Sequence, residues 1–288
     1  MGEQPVAAVL FLPLLAAALT VLFSKRENLR EASSIGIGLL LFSVCWNLAS
    51  SVFQGERPEF RLAAPIPGPY SEAFEIAFRV EPLGALFAML ASGLWVVTTC
   101  YAIGYMRGHH EKNQTRFFAC FGLAIFAAMG AAMAKNMFTL FVFYEVMTLS
   151  TYPLVTHHGT EAARRGGRIY LSILMSTSIA FLMLAVAWTW SITGTLDFVQ
   201  GGILAEAWQS QQISTWQLGL LLALFAFGTA KAALMPFHRW LPSAMVAPTP
   251  VSALLHAVAV VKVGVFTVMK VAIYIFGLDL LKESGVNV

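Results

Sequence analysis

Eight apolar blocks, at roughly 5–24, 34–53, 80–104, 117–134, 136–156, 168–193, 215–235 and 249–276, divide this chain. Each is long enough to cross a hydrocarbon core about 30 Å thick as a helix. Inside such a core every backbone polar group must be satisfied within the protein, so spans of this length fold as helices. The expectation is an all-α polytopic membrane protein of about eight transmembrane helices. Composition agrees, since the 288 residues are 58% hydrophobic and only 11% charged, against about 25% charged in soluble domains. A net charge of +3 is too small to suggest a nucleic-acid partner. No basic residue precedes the first apolar run, which opens MGEQPVAAVLF, so that run reads as a retained helix and not a cleaved signal.

Orientation follows from where Lys and Arg fall, because inner loops carry the excess. Placing the N-terminus outside puts Lys25, Arg26, Arg30, Arg107, Lys112, Arg116, Arg164, Arg165, Arg168 and Arg239 inside. Only Arg57, Arg61, Arg79, Lys135 and Lys282 then lie outside. The expected arrangement is a multi-pass protein of the inner (cytoplasmic) membrane with both termini on the outer side. The outer loop 54–79 is rich in Pro and charge, and its second half alternates polar with apolar, as a short strand or hairpin capping the bundle would. The segment 193–212 reads as an interfacial connection, with Trp208 and Trp216 at headgroup depth. A tight turn is expected at Lys135-Asn136. Cys45, Cys100 and Cys120 are isolated in apolar runs and read as buried small side chains, with no disulfide or metal spacing.

Residues 226–264 break the apolar pattern. Lys231, His256 and Lys262 sit in helical, apolar surroundings, although a lysine at the centre of a span costs about 2.5–3.5 kcal/mol and normally faces a bundle interior or a wet cavity. Pro236, Pro242, Pro248 and Pro250 lie between the two lysines, remove backbone donors, and predict a broken helix seven. A counter-charge is absent nearby in sequence but present at Glu145, which lies nine residues beyond Asn136 and hence about 14 Å into its helix. At about 4 Å and an effective dielectric near 20, the two charges would interact by about 4 kcal/mol, enough to move a proton on or off the lysine as they part. A static ion pair stapling two helices explains the same two residues but leaves His256 and Lys262 without a role.

Lys262 lies about 18 Å along its helix from Pro250. His256 reads as a bridge between the lysines through water, or as a ring satisfied by a neighbouring carbonyl. His238 and Arg239 fall at the inner mouth of the break, either as a gate or proton entry or as an ordinary interfacial pair. Lys270 is expected to snorkel to the outer end of helix eight, and Glu81 to cap helix three. His157 and His158 are loop residues without metal spacing. No catalytic triad, phosphate loop, CxxC pair or haem-type histidine pair stands out in the sequence. The residues point to proton movement without bond breaking, with no cofactor and no metal.

Two stretches resemble a known family. FVFYEVMTLSTYPLV around Glu145 and KAALMPFHRWLPSAMVAPTPVSALLHAVAVVKVGVF from Lys231 onward are similar to the antiporter-like membrane subunits shared by respiratory complex I, membrane-bound hydrogenases and Mrp-type monovalent cation/proton antiporters, with the Mrp D-type subunit the nearest match. The resemblance implies that Lys231 pairs with Glu145, that His256 and Lys262 take the helix-eight positions, and that all four serve proton transfer. It implies leading helices one to three at 1–116, a five-helix repeat over helices four to eight at 117–276, and a tail at 277–288. Family members carry a second, inverted repeat that this stretch lacks, so a partner supplying it is expected beside other membrane subunits. The implied function is a proton and Na⁺ or K⁺ translocating subunit of a multisubunit antiporter, not itself an enzyme. The alternatives are a proton-pumping subunit of a complex I-like oxidoreductase or hydrogenase, and a structural scaffold.

Overall fold

The structure, a computed structural model, describes residues 3–63 and 74–285. Helices α1 (Glu3–Leu22) and α2 (Glu27–Phe53) lead into an antiparallel hairpin of β1 (Glu59–Ala63) and β2 (Ile76–Arg79), with residues 64–73 of the connection outside the described range. Then follow α3 (Pro82–Gly108), α4 (Gln114–Met133) and α5 (Met137–Val155). The next rod runs continuously over Glu161–Thr193, as α6 (Glu161–Thr177), a π turn and α7 (Met183–Thr193). A short surface helix α8 (Leu204–Gln209) precedes α9 (Thr215–Gly228) and the five-residue α10 (Trp240–Ala244). The last span, Thr249–Phe276, comprises α11 (Thr249–Ala253), a π turn, α12 (Val260–Val271) and a second π turn, before the terminal α13 (Leu278–Ser284).

Among the described residues seven helices are long and apolar enough to cross a membrane. The seventh expected block, 215–235, is different: its helix stops at Gly228 after 14 residues, short of the twenty or so that a full crossing takes. The protein is an all-α polytopic membrane protein. Large apolar side chains such as Leu22 (72% exposed), Val97 (66%) and Met235 (77%) face outward, a costly arrangement in water at about 25 cal/mol per Å² but a favourable one in lipid. α4 is the innermost helix, with 72% of its apolar window buried.

Short connections join neighbouring helices at two faces. On the first, the expected hairpin is fastened to the α4–α5 turn. Lys135 N–H donates to the Ala77 carbonyl at 3.0 Å, and Asn136 Nδ2 and Thr139 Oγ1 both donate to the Glu75 carbonyl, at 3.0 and 3.1 Å. The expected tight turn is present, because Asn136 also caps α5 through its side chain, accepting Thr139 N–H at 2.7 Å. Lys135 Nζ holds Glu75 at 3.1 Å and Asp197 at 3.5 Å, tying in the chain that follows α7. On the second face Arg107 pairs with Glu31 at 2.6 Å and Arg30 donates to Gln114 at 2.7 Å, linking α2 to α3 and α4.

Candidate functional site

The chain leaves α-helical geometry at Thr229, well before the end of the block that sequence assigned to this span. Thr229 Oγ1 donates back to the Phe225 carbonyl at 2.9 Å, Ala230–Ala232 form a single 3₁₀ turn, and Ala233 takes a left-handed conformation at φ 58°. The Met235–Pro236 peptide is cis, and a second 3₁₀ turn, Phe237–Arg239, leads into α10. Trp240 Nε1 donates to the Ala230 carbonyl at 2.8 Å, which also accepts the Ala233 N–H at 2.9 Å, tying α10 to the 3₁₀ turn. The four prolines therefore divide by role. Pro236 lies at the far end of the break and Pro242 within α10, while Pro248 and Pro250 cap and open α11 and start the following span.

Lys231 stands on the 3₁₀ turn of this break and is fully buried. Its Nζ donates to the Tyr144 carbonyl at 2.8 Å and lies 3.2 Å from the centroid of the Tyr144 ring, while the Tyr144 hydroxyl accepts the Lys231 backbone N–H at 3.1 Å. α12 closes the other side: a Cβ on Gly264 would stand 2.2 Å from Ala232 N, so only glycine lets the two backbones approach this closely. Glu145, the expected counter-charge, comes close enough to act electrostatically on Lys231. It makes no ion pair within 4 Å among the described residues, and both its carboxylate oxygens are buried without a hydrogen-bond partner. Tyr144, its neighbour on α5, takes the ammonium instead. A buried carboxylate of this kind is stable only with a proton, a water or a cation close by.

The other expected residues are more scattered. His256 sits in the π turn Leu254–Val258, half-buried, with Nε2 buried and unpartnered. Lys262 is exposed, in an apolar groove of about 290 Å³ between α3 and α12, beside Leu86, Leu90 and Phe266. Residues two apart on a helix do not share a face, so with Gly264 turned onto the break, Lys262 faces away from Lys231. His238 and Arg239 are exposed at the arginine-rich face.

Two sequence expectations are corrected. Lys270 does not snorkel: it is 1% exposed, donates to the Ala134 carbonyl, lies 4.2 Å from the Phe198 ring centroid and stands 3.6 Å from Glu81. Glu81 makes no side-chain cap of α3 and instead pairs with both Lys270 and Arg79, the latter at 3.1 Å. The pair was missed because each residue sits near a helix end, where a local role suffices. A cavity of about 460 Å³ at the hairpin face, lined by Arg57, Glu59, Arg79, Glu81 and Tyr274, opens beside it. Tyr144 was also missed; its only sequence signal is adjacency to Glu145.

Comparison with known proteins places these features in a family. Residues 134–280 match the model described as NADH:quinone oxidoreductase/Mrp antiporter, TM, and residues 70–118 match that of the NADH-ubiquinone oxidoreductase (complex I) chain 5 N-terminus. The chain belongs to the NADH:quinone oxidoreductase/Mrp antiporter membrane family. Within this family it is 30% identical over 259 residues to NAD(P)H-quinone oxidoreductase subunit 5 of Paulinella chromatophora, covering 86% of this chain and 38% of the relative. It is 28% identical over 272 residues to the D-type Na(+)/H(+) antiporter subunit of Alkalihalophilus pseudofirmus, covering 94% of this chain and 52% of the relative. The fold matches a chain of the Mrp complex from Dietzia sp. DQ12-45-1b with a TM-score of 0.77 at 22% identity, covering 97% of this chain and 29% of that one. The chain thus spans about half the length, or less, of the relatives it matches. The family resemblance read from the two sequence stretches is borne out.

Proposed function

We propose that this chain is a proton- and cation-translocating subunit of a multisubunit monovalent cation/proton antiporter, with Na⁺ as the exchanged cation. The observation that carries the reading is the fully buried Lys231 on a helix break, with the unpartnered carboxylate of Glu145 beside the tyrosine that holds it. A carbonyl and a ring face satisfy Lys231 without a formal counter-charge, and a neutral amine still donates to a carbonyl. Lys231 can then gain or lose a proton without stranding a donor, and Glu145 sets which form is favoured.

In this reading protons enter near His238 on the arginine-rich face, reach Lys231, and pass by way of His256 and water to Lys262. Lys262 faces out of the described bundle, so the onward route leaves this bundle through the groove between α3 and α12. The five-helix unit 117–276 acts as one translocating repeat. The arginine-rich face is the inner side of a cytoplasmic membrane, and both termini lie outside. The test uses proteoliposomes holding the whole complex. Glu145→Gln and Lys231→Ala should each abolish coupled transport, and wild-type rates in both would sink the assignment.

A second reading makes the chain a pumping subunit of a redox-driven complex; similarity to an NAD(P)H-quinone oxidoreductase subunit favours it. Iron-sulfur or flavin proteins purifying with the complex would select that reading. A purely structural role predicts that Glu145→Gln combined with Lys231→Met leaves transport intact.

A further inference from the structure

The sequence Arg164-Arg165-Gly166-Gly167-Arg168 opens α6 at the arginine-rich face. Gly166 lets α6 touch α10, since a Cβ there would stand 2.4 Å from the Ser243 carbonyl oxygen. That close approach brings Arg239, in the 3₁₀ turn before α10, up to Arg165 and Arg168, which lie three residues apart on one face of α6. The three arginines rim a groove of about 500 Å³ whose remaining walls are Ile169, Ser172 and Ile173. All three guanidinium groups are in exposed residues. None has a carboxylate within 4 Å among the described residues.

Three like charges gathered in one groove repel one another, and the fold supplies no anion of its own to offset them. A guanidinium fork matches the oxygens of a phosphate diester, with two parallel N–H donors per pair. Below the charges the groove turns apolar. Ile169 and Ile173 lie one turn apart on the rod Glu161–Thr193, which continues into the span past Ile179, 47% exposed. Charge at the headgroup level above an apolar track describes a lipid and not a free ion, and basic pockets between transmembrane helices are a recurring form of anionic-lipid site.

We propose that this groove binds an anionic glycerophospholipid. Its phosphodiester sits on Arg165, Arg168 and Arg239, and an acyl chain runs down α6 along Ile169 and Ile173. The lipid links α6 to the turn that follows the helix break, so its occupancy stiffens the element carrying His238. The binding site stands on its own chemistry and does not depend on the antiport assignment.

The test uses the whole complex in phosphatidylcholine nanodiscs with or without added phosphatidylglycerol, counting retained phosphatidylglycerol by mass spectrometry and following the unfolding midpoint. The wild type should retain phosphatidylglycerol selectively and unfold at a higher temperature with it. Each single Arg→Gln change at 165, 168 or 239 should weaken retention about fivefold, the equivalent of about 1 kcal/mol per basic residue at a membrane surface. The triple change should lose selective retention while its midpoint in phosphatidylcholine alone stays at the wild-type value. Should the triple variant not assemble, the single variants decide. Wild-type retention in all of them overturns the proposal, as does displacement of the lipid by inorganic phosphate, which would make the groove a free-anion site.

Discussion

Lys231 is held by Tyr144 from two directions: its Nζ donates to the Tyr144 carbonyl at 2.8 Å over the ring face, and its own backbone N–H donates to the Tyr144 hydroxyl at 3.1 Å. One tyrosine thus fixes both the charge and the backbone of the break, and its contributions can be separated. Tyr144→Phe keeps the ring and carbonyl but leaves a buried backbone N–H unpaired, which should cost about 1–3 kcal/mol of stability. Tyr144→Leu also removes the aromatic face and should cost about 2 kcal/mol more. Unfolding of the purified complex in detergent measures both; equal losses in the two variants would remove the ring from the account.

Gly264→Ala forces a Cβ to 2.2 Å from the Ala232 backbone nitrogen. Backbone cannot move aside as a side-chain tip can, so we expect about 1–3 kcal/mol of destabilisation together with displaced geometry at Lys231. The same substitution at Gly104, whose Cβ would meet nothing within 4 Å, is the control and should be neutral or slightly stabilising.

For the buried Glu81–Lys270 contact, removing one partner should hurt far more than removing both. Lys270→Met alone leaves Glu81 to Arg79, and Glu81→Gln alone leaves an uncompensated buried ammonium, at about 3–5 kcal/mol for a stranded charge. Because Arg79 remains as a partner for Glu81, the lysine change should be the milder of the two. The double change Glu81→Gln with Lys270→Met should recover most of the loss. Additive losses in a double-mutant cycle would mean that the two residues do not interact.

His157 should make stability fall in acid. Burial, followed by the charge of Arg116, pushes its imidazole below the ordinary value of 6.5; Glu111 opposes this, and His158 adds to it. The folded chain therefore keeps His157 neutral at a pH where the unfolded chain already takes the proton. Its stability is full above about pH 6.5 and declines as pH drops below that value. Unfolding midpoints across this range should show the decline, and His157→Phe, which cannot titrate, should flatten it. An unchanged slope in that variant assigns the effect elsewhere.

Apolar blocks predicted the spans because depth in a membrane depends on length alone, and length is plain in the sequence. The strand Ile76–Arg79, in the second half of the outer loop, and the tight turn at Lys135-Asn136 were legible for the same local reason. What failed was azimuth. Lys262 is deep by residue count, but the π turn Leu254–Val258 inserts an extra residue per turn and Ala259 departs from helical φ/ψ, so a face extrapolated from His256 does not survive to Lys262. The onset of the break at Thr229 was likewise hidden, because the sequence advertises it with Pro236, whereas the chain leaves the helix earlier through a left-handed Ala233. Charge singled out Glu145 and Lys231, but nothing in their spacing could show that the neighbouring Tyr144 would hold the ammonium.

The 3₁₀ turn that carries Lys231 has a mechanical consequence. An ammonium on a regular helix changes position only if the whole cylinder slides or rolls, dragging a ladder of backbone bonds with it. Lys231 rides on the three residues Ala230–Ala232, between Thr229 and Ala233, where few such bonds exist to be broken. On the proposed reading, turning a handful of torsions would be enough to carry it from the tyrosine toward the carboxylate next door while the surrounding cylinders stay still.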